Sequence, residues 1–289
     1  MRFLVTGGSG FTGRHVIPLL VEGGHDVVAT ARSDRASERV AELGATPVGA
    51  DLDDTASVDT AFASAKADVL VNIASLGFGH APAIVAAAED AGIERAVFVS
   101  TTAVFTTLSA ASKATRTAAE ATISSSALRW TIVRPTMIYG APGDRNMERL
   151  LRVLRRSPVV PLPGGGARLQ QPVHVGDLAE AIVTAAVTNA AVGKEYDVAG
   201  PQPLTFRQVV QQAAEAAGRS PLLVPVPLRP LIAALRGYER VVSRPRLKAE
   251  QLERLAEDKA FDITAARRDL RYDPRSFAAG IAEEAALVA

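Results

Sequence analysis

One short stretch constrains this chain more than any other: Thr6-Gly7-Gly8-Ser9-Gly10-Phe11-Thr12-Gly13, set between the apolar run Phe3–Thr6 and a helix-like segment beginning near Phe11. Glycines at these spacings let the turn close tightly, let backbone N–H groups approach a pyrophosphate, and let the helix pack close on the strand. The phosphates then meet the positive end of the helix. A glycine triplet alone is a tight turn. At the first strand–helix junction of a longer series it predicts a dinucleotide site, with Gly7, Ser9, Gly10, Phe11, Thr12 and Gly13 lining the cofactor.

The series is present. Apolar runs at Phe3–Thr6, Asp26–Thr30, Thr46–Ala50, Val69–Ile73, Ala96–Ser100 and Thr131–Arg134 alternate with helix-like intervals, the order of a parallel sheet with crossover helices. Val69-Leu70-Val71 and Val97-Phe98-Val99 are continuously apolar, as strands buried on both faces should be, and belong in the middle of the sheet. The expected fold is α/β: a Rossmann-type, doubly wound parallel sheet with a smaller, mostly helical C-terminal substrate lobe. Residues 1–140 form the nucleotide-binding part, which returns in part through 170–200, and residues 141–289 form the smaller lobe. In the latter, Met147–Arg156 reads as a helix, Pro161–Gly166 as a Pro/Gly loop, and Asp177–Val187 as a helix capped by Asp177. From Leu204 the pattern is helical, with breaks at Pro221, Pro225, Pro227, Pro230 and Pro245.

The end of the second strand speaks to cofactor choice. NAD-selective sites usually place an acidic residue there for the adenosine ribose, whereas this chain has Ala31-Arg32-Ser33. A guanidinium at Arg32 favours the extra phosphate of NADP(H), with NAD(H) still possible, and Arg14 in the first helix is placed to reach the same group. Asp51-Leu52, at the third strand's end, is placed to contact the adenine, although Asp51 could equally cap the following helix.

Composition narrows the partners. Lysine and arginine number 32 against 31 acidic residues, so no net field draws the molecule to nucleic acid or to an anionic membrane, and a small-molecule substrate is expected. No cysteine is present, which excludes disulfides, thiolate metal sites and a cysteine nucleophile, and no metal is expected. No run approaches the roughly 18 apolar residues of a membrane span. The N-terminus has no signal-peptide pattern, which reads as cytoplasmic.

These motifs resemble the extended and atypical short-chain dehydrogenase/reductase superfamily, in its NAD-dependent epimerase/dehydratase group. The resemblance covers nearly the whole chain. It is carried by Thr6–Gly13, Asp51-Leu52, Asn72-Ile73-Ala74, Val99-Ser100-Thr101-Thr102-Ala103-Val104, Trp130–Pro135 with Ile138-Tyr139-Gly140, Pro172–Ala179 and Gly193–Leu204. It implies that Ala74, Ser75 and Pro135 also border the cofactor, and that dimers form through the helices after the fourth and fifth strands. It further implies a hydride moved between nicotinamide and a carbinol or carbonyl carbon, with a Ser/Thr holding the substrate oxygen, the position of Thr101. The acid/base is a tyrosine followed four positions later by a lysine, which lowers its pKa and binds the ribose.

That pair is where the sequence departs. The four tyrosines, Tyr139, Tyr196, Tyr238 and Tyr272, are followed at that spacing by Gly143, Gly200, Val242 and Ser276. In the expected window, alignment on Lys113 puts Ser109 in the tyrosine's place; alignment on Glu120 puts Ser112 there and Arg116 in the lysine's. The first is preferred here, making Lys113 both catalytic and ribose-binding. Tyr139 and His80 are the substitute acids to be weighed, and His174 reads as a core or interface histidine. Nucleotide-sugar members carry an arginine where this chain has Gln170; with His80 and Asn146, Gln170 is assigned to the substrate cleft. Three functions stay open: a reductase, epimerase or dehydratase using NADP(H) on a polar, sugar-like small molecule; a non-catalytic NADP(H) sensor or regulatory protein; and a structural or assembly subunit.

Overall fold

The computed structural model describes residues 1–108, 111–140, 143–144, 146–242 and 249–288. Seven strands form one parallel sheet: β1 (Arg2–Thr6), β2 (Asp26–Ala31), β3 (Thr46–Gly49), β4 (Val69–Asn72), β5 (Arg95–Val99), β6 (Arg129–Pro135) and β11 (Lys194–Val198). Their order, β11-β6-β5-β4-β1-β2-β3, reverses at β1, which pairs with β2 on one side and β4 on the other. The crevice beyond the strand ends at such a reversal is where a doubly wound sheet takes its ligand. There the register sets Thr6 opposite Asn72, and the Thr6 hydroxyl donates to Asn72 Oδ1 at 2.6 Å. Asn72 in turn donates to the Ala74 carbonyl at 3.1 Å, holding the β4 turn beside the glycine turn.

Helices cover both faces. On one, α1 (Gly13–Glu22), α7 (Val175–Val187) and α11 (Thr264–Leu270) bury Val16, Ile17, Leu178, Ile182 and Leu270 against the sheet. On the other, α3 (Thr55–Ala65), α4 (Ala81–Asp90) and α5 (Ala111–Ser124) bury Phe62, Ile84 and Ile123. Each such side chain contributes roughly 1.5–3 kcal/mol through loss of apolar surface. α2 (Asp34–Glu42) links β2 to β3 and buries only Val40.

A third apolar cluster lies outside the sheet. It joins β7 (Ile138–Tyr139) and β8 (Val159–Pro163) to α6 (Met147–Arg156), α8 (Phe206–Ala216) and α12 (Phe277–Leu287), around Leu151, Leu162, Val209 and Ile281. Short strands trim this region: β9 (Leu169–Gln170) pairs with β12 (Leu204–Thr205), β10 (Val173–His174) with β7, and β13 (Leu222–Val226) with β8. α9 (Leu228–Val241) and α10 (Ala249–Glu253) lie in the chain between β13 and α11.

Several local expectations are corrected. Pro161–Gly166 is not loop throughout, because β8 runs to Pro163 before a 3-10 turn at Gly164–Gly166. α7 starts at Val175, capped by His174, whose Nδ1 accepts from Gly176 N–H at 3.1 Å. Asp177 lies in the first turn of that helix and binds Arg275 instead. Of the predicted proline breaks, Pro225 sits inside β13, Pro227 caps α9, Pro230 lies in its first turn, and Pro245 is outside the described residues. No helix among the described residues is long and apolar enough to cross a membrane.

Candidate functional site

The site is built on the strand ends around β1. At Gly7 (φ +71°) an added Cβ would stand 2.8 Å from Ala74 N, and at Gly13 it would stand 2.4 Å from the Gly8 carbonyl oxygen, so both positions require glycine. Gly10 differs, since its Cβ would meet only the Gly7 carbonyl, at 3.1 Å. Thr12, the residue before α1, makes no side-chain cap, and the first turn of α1 has no acidic residue. An uncapped helix N-terminus behind a turn with one open face is a fit for a pyrophosphate, whose oxygens accept from backbone N–H groups there. Ser9 and Phe11 are half-buried on this turn, and Phe11 sets its ring edge-on to His15 at 6.0 Å. Arg14 is exposed, and its guanidinium lies against Gly143, 3.4 Å from where a Cβ would stand.

At the adenosine side, Arg32 is exposed and faces Asp53 at 3.9 Å. The same carboxylate takes His80 Nε2 at 2.8 Å. His80, expected in the substrate cleft, is thus held with Asp53 and Arg32 beside the ends of β2 and β3. Asp51 accepts from Asp53 N–H at 3.1 Å, while the cap of α3 is Asp54, which accepts from Ala56 N–H. That leaves Asp51 and Leu52, both half-buried, forming the turn rather than starting the helix.

At the end of β5, Thr101 is half-buried and its Oγ1 accepts from Ala103 N–H at 3.2 Å. With its acceptor side engaged, its own O–H proton is left to donate. Next to it, Ser100 donates to Glu120, and Arg134 binds both oxygens of Glu120, at 3.0 and 2.7 Å. Arg134 also meets Glu195 at 2.6 Å and lies over the Phe105 ring at 5.2 Å. Burial lowers the Arg134 pKa, and its bonds to Glu120 and Glu195 outweigh that and raise it. This buried pairing fixes the rotation of α5 on the sheet.

From that anchor, Arg116 stands one helical turn nearer the β4 end. Its guanidinium lies flat on Gly77, where a Cβ would fall 2.9 to 3.2 Å from Nη2, Cζ and Nε. Lys113 points elsewhere, donating to the Thr106 carbonyl at 2.6 Å. The two alignments thus lead to different places: that on Glu120 sets Arg116 against the β4 turn with Ser112, half-buried, in the tyrosine's position, and that on Lys113 sets the lysine against the loop after β5. Ser109 lies outside the described residues. Ser75 closes the β4 turn by accepting from Gly77 N–H at 3.3 Å, and Pro135 accepts from the Thr102 hydroxyl at 3.3 Å.

Tyr139 is not a cleft residue. It is 1% exposed, packed edge-on to His174 at 5.4 Å and against Phe277 at 5.0 Å. Burial, then the charge of Asp177, pushes its hydroxyl above the usual phenol range, the opposite of what an acid/base requires. His174 is likewise buried and held below the usual imidazole range by burial. Asn146 is exposed just before α6, whose first turn is capped by Asp144, accepting from Asn146 and Met147 N–H at 2.7 and 3.0 Å. Gln170 is 3% exposed and its Nε2 has no protein partner. Its neighbour Gln171 is fully used, by Gly200 and Phe261. The spacing to Glu120 had offered Arg116 as the alternative to Lys113, and it is Arg116 that lies on the β4 turn.

Comparison with known proteins places the chain among nucleotide-binding proteins. The family described as NAD(P)H-binding matches residues 7–160. The chain is 28% identical to a 4-hydroxy-2-methyl-3-oxo-4-farnesyl-3,4-dihydroquinoline-1-oxide ketoreductase of Stigmatella aurantiaca, over 75% of this chain and 74% of that one. It is also 28% identical to a 2-alkyl-3-oxoalkanoate reductase of Stenotrophomonas maltophilia, over 95% of each. Its fold matches that of a UDP-glucose 4-epimerase of Thermus thermophilus solved with NAD, with a TM-score of 0.75, 22% identity, and coverage of 100% of this chain and 99% of the other.

Proposed function

The chain belongs to the NAD(P)H-binding family, and from that premise we propose that it is an NADP(H)-dependent reductase of a small carbonyl compound. The observation that carries this reading is the Thr101 hydroxyl, whose oxygen accepts from Ala103 and whose proton is left for a substrate oxygen, at the end of a strand in the nucleotide crevice. The similar ketoreductase and oxoalkanoate reductase support the reaction class. A sugar-nucleotide epimerase or dehydratase is favoured less, because Gln170 stands where such proteins carry an arginine.

Reduction adds a hydride to the carbonyl carbon and a proton to its oxygen; NADPH, when bound, supplies the hydride. Gly7, Gly10 and Gly13 would admit the cofactor's pyrophosphate, Arg32 would hold its 2′-phosphate, and Arg116 would take the cationic position of the family's lysine. Thr101 orients and polarises the carbonyl. With Tyr139 buried and His80 committed to Asp53, the proton comes from water by way of the Thr101 hydroxyl. Such a site is slow, since a positioned general acid typically adds a factor of about 10² to 10⁴.

The test incubates the protein with NADPH and a panel of ketones and 3-oxo acids, following nicotinamide absorbance and product mass together. Alcohol formed in step with NADPH consumed supports the reductase. The second reading, a non-catalytic NADP(H) sensor, is favoured by the missing tyrosine, and tight NADPH binding without turnover on any substrate would establish it instead.

A further inference from the structure

Charge is balanced over the chain as a whole and unevenly spread within it. Residues 147–163 and 218–242 carry eight arginines, no lysine or aspartate, and two glutamates. The same two stretches hold six of the eleven large apolar side chains that stand exposed among the described residues: Val153, Val159, Leu222, Val224, Tyr238 and Val241. Both features come together where β13 pairs with β8. The register sets Leu222 beside Val159, Leu223 beside Val160, Val224 beside Pro161 and Pro225 beside Leu162. Val160 and Leu162 belong to the third apolar cluster, while Leu222, Val224, Val159 and Pro161 stand exposed. A sheet with one solvated face normally alternates apolar inside with polar outside. This pair is apolar on both faces, and its outer face is uncovered.

Arginines frame that face. Leu222 N–H donates to the Pro158 carbonyl at 2.8 Å, joining the starts of the two strands. Arg156 and Arg219, each three residues before the first paired residues, therefore leave from the same end of the pair. On α6 the exposed residues Arg149, Arg152, Val153 and Arg156 recur at i, i+3, i+4 and i+7 and form one outer row, while Leu151 and Leu154 face the cluster. Arg152 binds Glu148, but Arg149, Arg156 and Arg219 meet no carboxylate among the described residues. At the other end of the strands α9 begins, with Leu228 beside the Gly164 turn. None of its residues is buried, and it exposes Arg229, Arg240, Tyr238 and Val241.

Arginines beside aliphatic side chains select the occupant. A second copy of the chain, related by a two-fold axis, would set this face against itself and arginines against arginines, which is unfavourable. A nucleic acid calls for aromatic platforms, whereas the exposed side chains of the strand pair are aliphatic. A bilayer with anionic lipids supplies both partners side by side: acyl chains for the aliphatic groups, and phosphates for the guanidiniums, which can bind them through two N–H groups at once. We propose that the outer face of the β8–β13 pair docks on the surface of an anionic phospholipid bilayer, with Val159, Leu222 and Val224 entering below the headgroups and Arg156 and Arg219 holding lipid phosphates. The chain then lies on the membrane rather than across it. This role goes beyond the reductase reading and does not depend on it.

The experiment is sedimentation of the full chain with vesicles of phosphatidylcholine alone, or of phosphatidylcholine mixed with phosphatidylglycerol. Binding to the mixed vesicles is expected to be about tenfold or more tighter than to phosphatidylcholine alone, and to weaken as salt is raised. Leu222→Ser with Val224→Ser, and Arg156→Glu with Arg219→Glu, should each lower it about tenfold or more. Arg156→Lys with Arg219→Lys should keep most of it, and Val187→Ser, at an exposed valine of α7, should leave it unchanged. All these positions are exposed, and an unchanged melting temperature and NADPH affinity report that each variant is folded. Equal binding to both kinds of vesicle, no binding to either, or binding that survives both double substitutions overturns the proposal. So does a dimer in sedimentation equilibrium that Leu222→Ser with Val224→Ser dissolves, which would assign the face to a second copy. Tighter binding of a single-stranded oligonucleotide than of the mixed vesicles, abolished by Arg156→Glu with Arg219→Glu, would overturn it in favour of nucleic acid.

Discussion

Glu284, with none of its surface exposed, is buried within reach of the charge of Asp144, the residue that caps α6 and is itself buried. Burial, followed by the Asp144 charge, pushes Glu284 up to about 8, so the folded protein keeps a proton there that the unfolded chain releases near 4.5. Between those values the folded state binds more protons, and stability must fall as pH rises. The contribution is fully present below the unfolded value and is lost through the folded one, a change on the order of a few kcal/mol. Urea midpoints measured from pH 5 to 9 should decline in the wild type, and Glu284→Gln, which keeps the shape without the ionisation, should flatten the decline. An unchanged slope in Glu284→Gln would remove this pair as its source.

The glycine turn offers two contrasting outcomes. A Cβ at Gly13 would strike the Gly7 and Gly8 carbonyl oxygens at 2.6 and 2.4 Å, whereas one at Gly10 meets only the Gly7 oxygen at 3.1 Å. Gly13→Ala should therefore lower the melting temperature. Gly10→Val should stay folded and lose both dinucleotides, by about tenfold or more in Kd. Calorimetry showing normal affinity in a folded Gly10→Val protein would show that the pyrophosphate lies elsewhere.

What the sequence revealed and what it hid have a common physical reason. The strands found early, such as Val69-Leu70-Val71 and Val97-Phe98-Val99, are covered on both faces and so read as unbroken apolar runs. β11 was hidden because it is an edge strand. Its Glu195 and Asp197 face Arg134 of β6, so Lys194-Glu195-Tyr196-Asp197-Val198 alternates and looks like surface. β13 was masked by Pro225, which a two-stranded, partly exposed pair tolerates. The site followed the same rule. Glycine spacing pointed to the turn after β1, but where Lys113 and Arg116 each point follows from the rotation of α5, which depends on the buried Glu120–Arg134 contact between distant parts of the chain.

Cofactor preference should rest on Arg32. Its contact with Asp53 is long, and both side chains are 72% exposed, so the pair adds little stability and leaves the guanidinium available. Arg32→Ala should weaken NADPH roughly tenfold and scarcely change NADH, since a charge-assisted contact contributes on the order of 1.5–3 kcal/mol. Asp53→Ala removes a competing anion and should tighten NADPH by a factor of up to about five, without a change in melting temperature. Equal losses for NADPH and NADH in Arg32→Ala would take Arg32 away from the 2′-phosphate.

The chemistry separates four residues that sequence alone could not rank. Thr101→Val deletes the hydroxyl proposed to donate to the substrate oxygen, and turnover should fall roughly 10- to 100-fold, the rate equivalent of losing a hydrogen bond that strengthens as negative charge develops. NADPH affinity in that variant should be unchanged. Tyr139→Phe should leave turnover as it was, because the phenol is buried against Phe277 and Gly280 rather than presented to the cleft. The same packing means that Gly280→Ala, whose Cβ would fall 2.4 Å from the Tyr139 hydroxyl, should lower the melting temperature, an effect that Tyr139→Phe should relieve in the double variant. Arg116→Ala should damage turnover more than Lys113→Ala, since Lys113 spends its ammonium on the Thr106 carbonyl while Arg116 reaches the β4 turn. Steady-state rates with NADPH saturating and the ketone varied would rank the four. A large loss in Tyr139→Phe together with a small one in Thr101→Val would move the reacting carbonyl from the end of β5 to the cluster around α12.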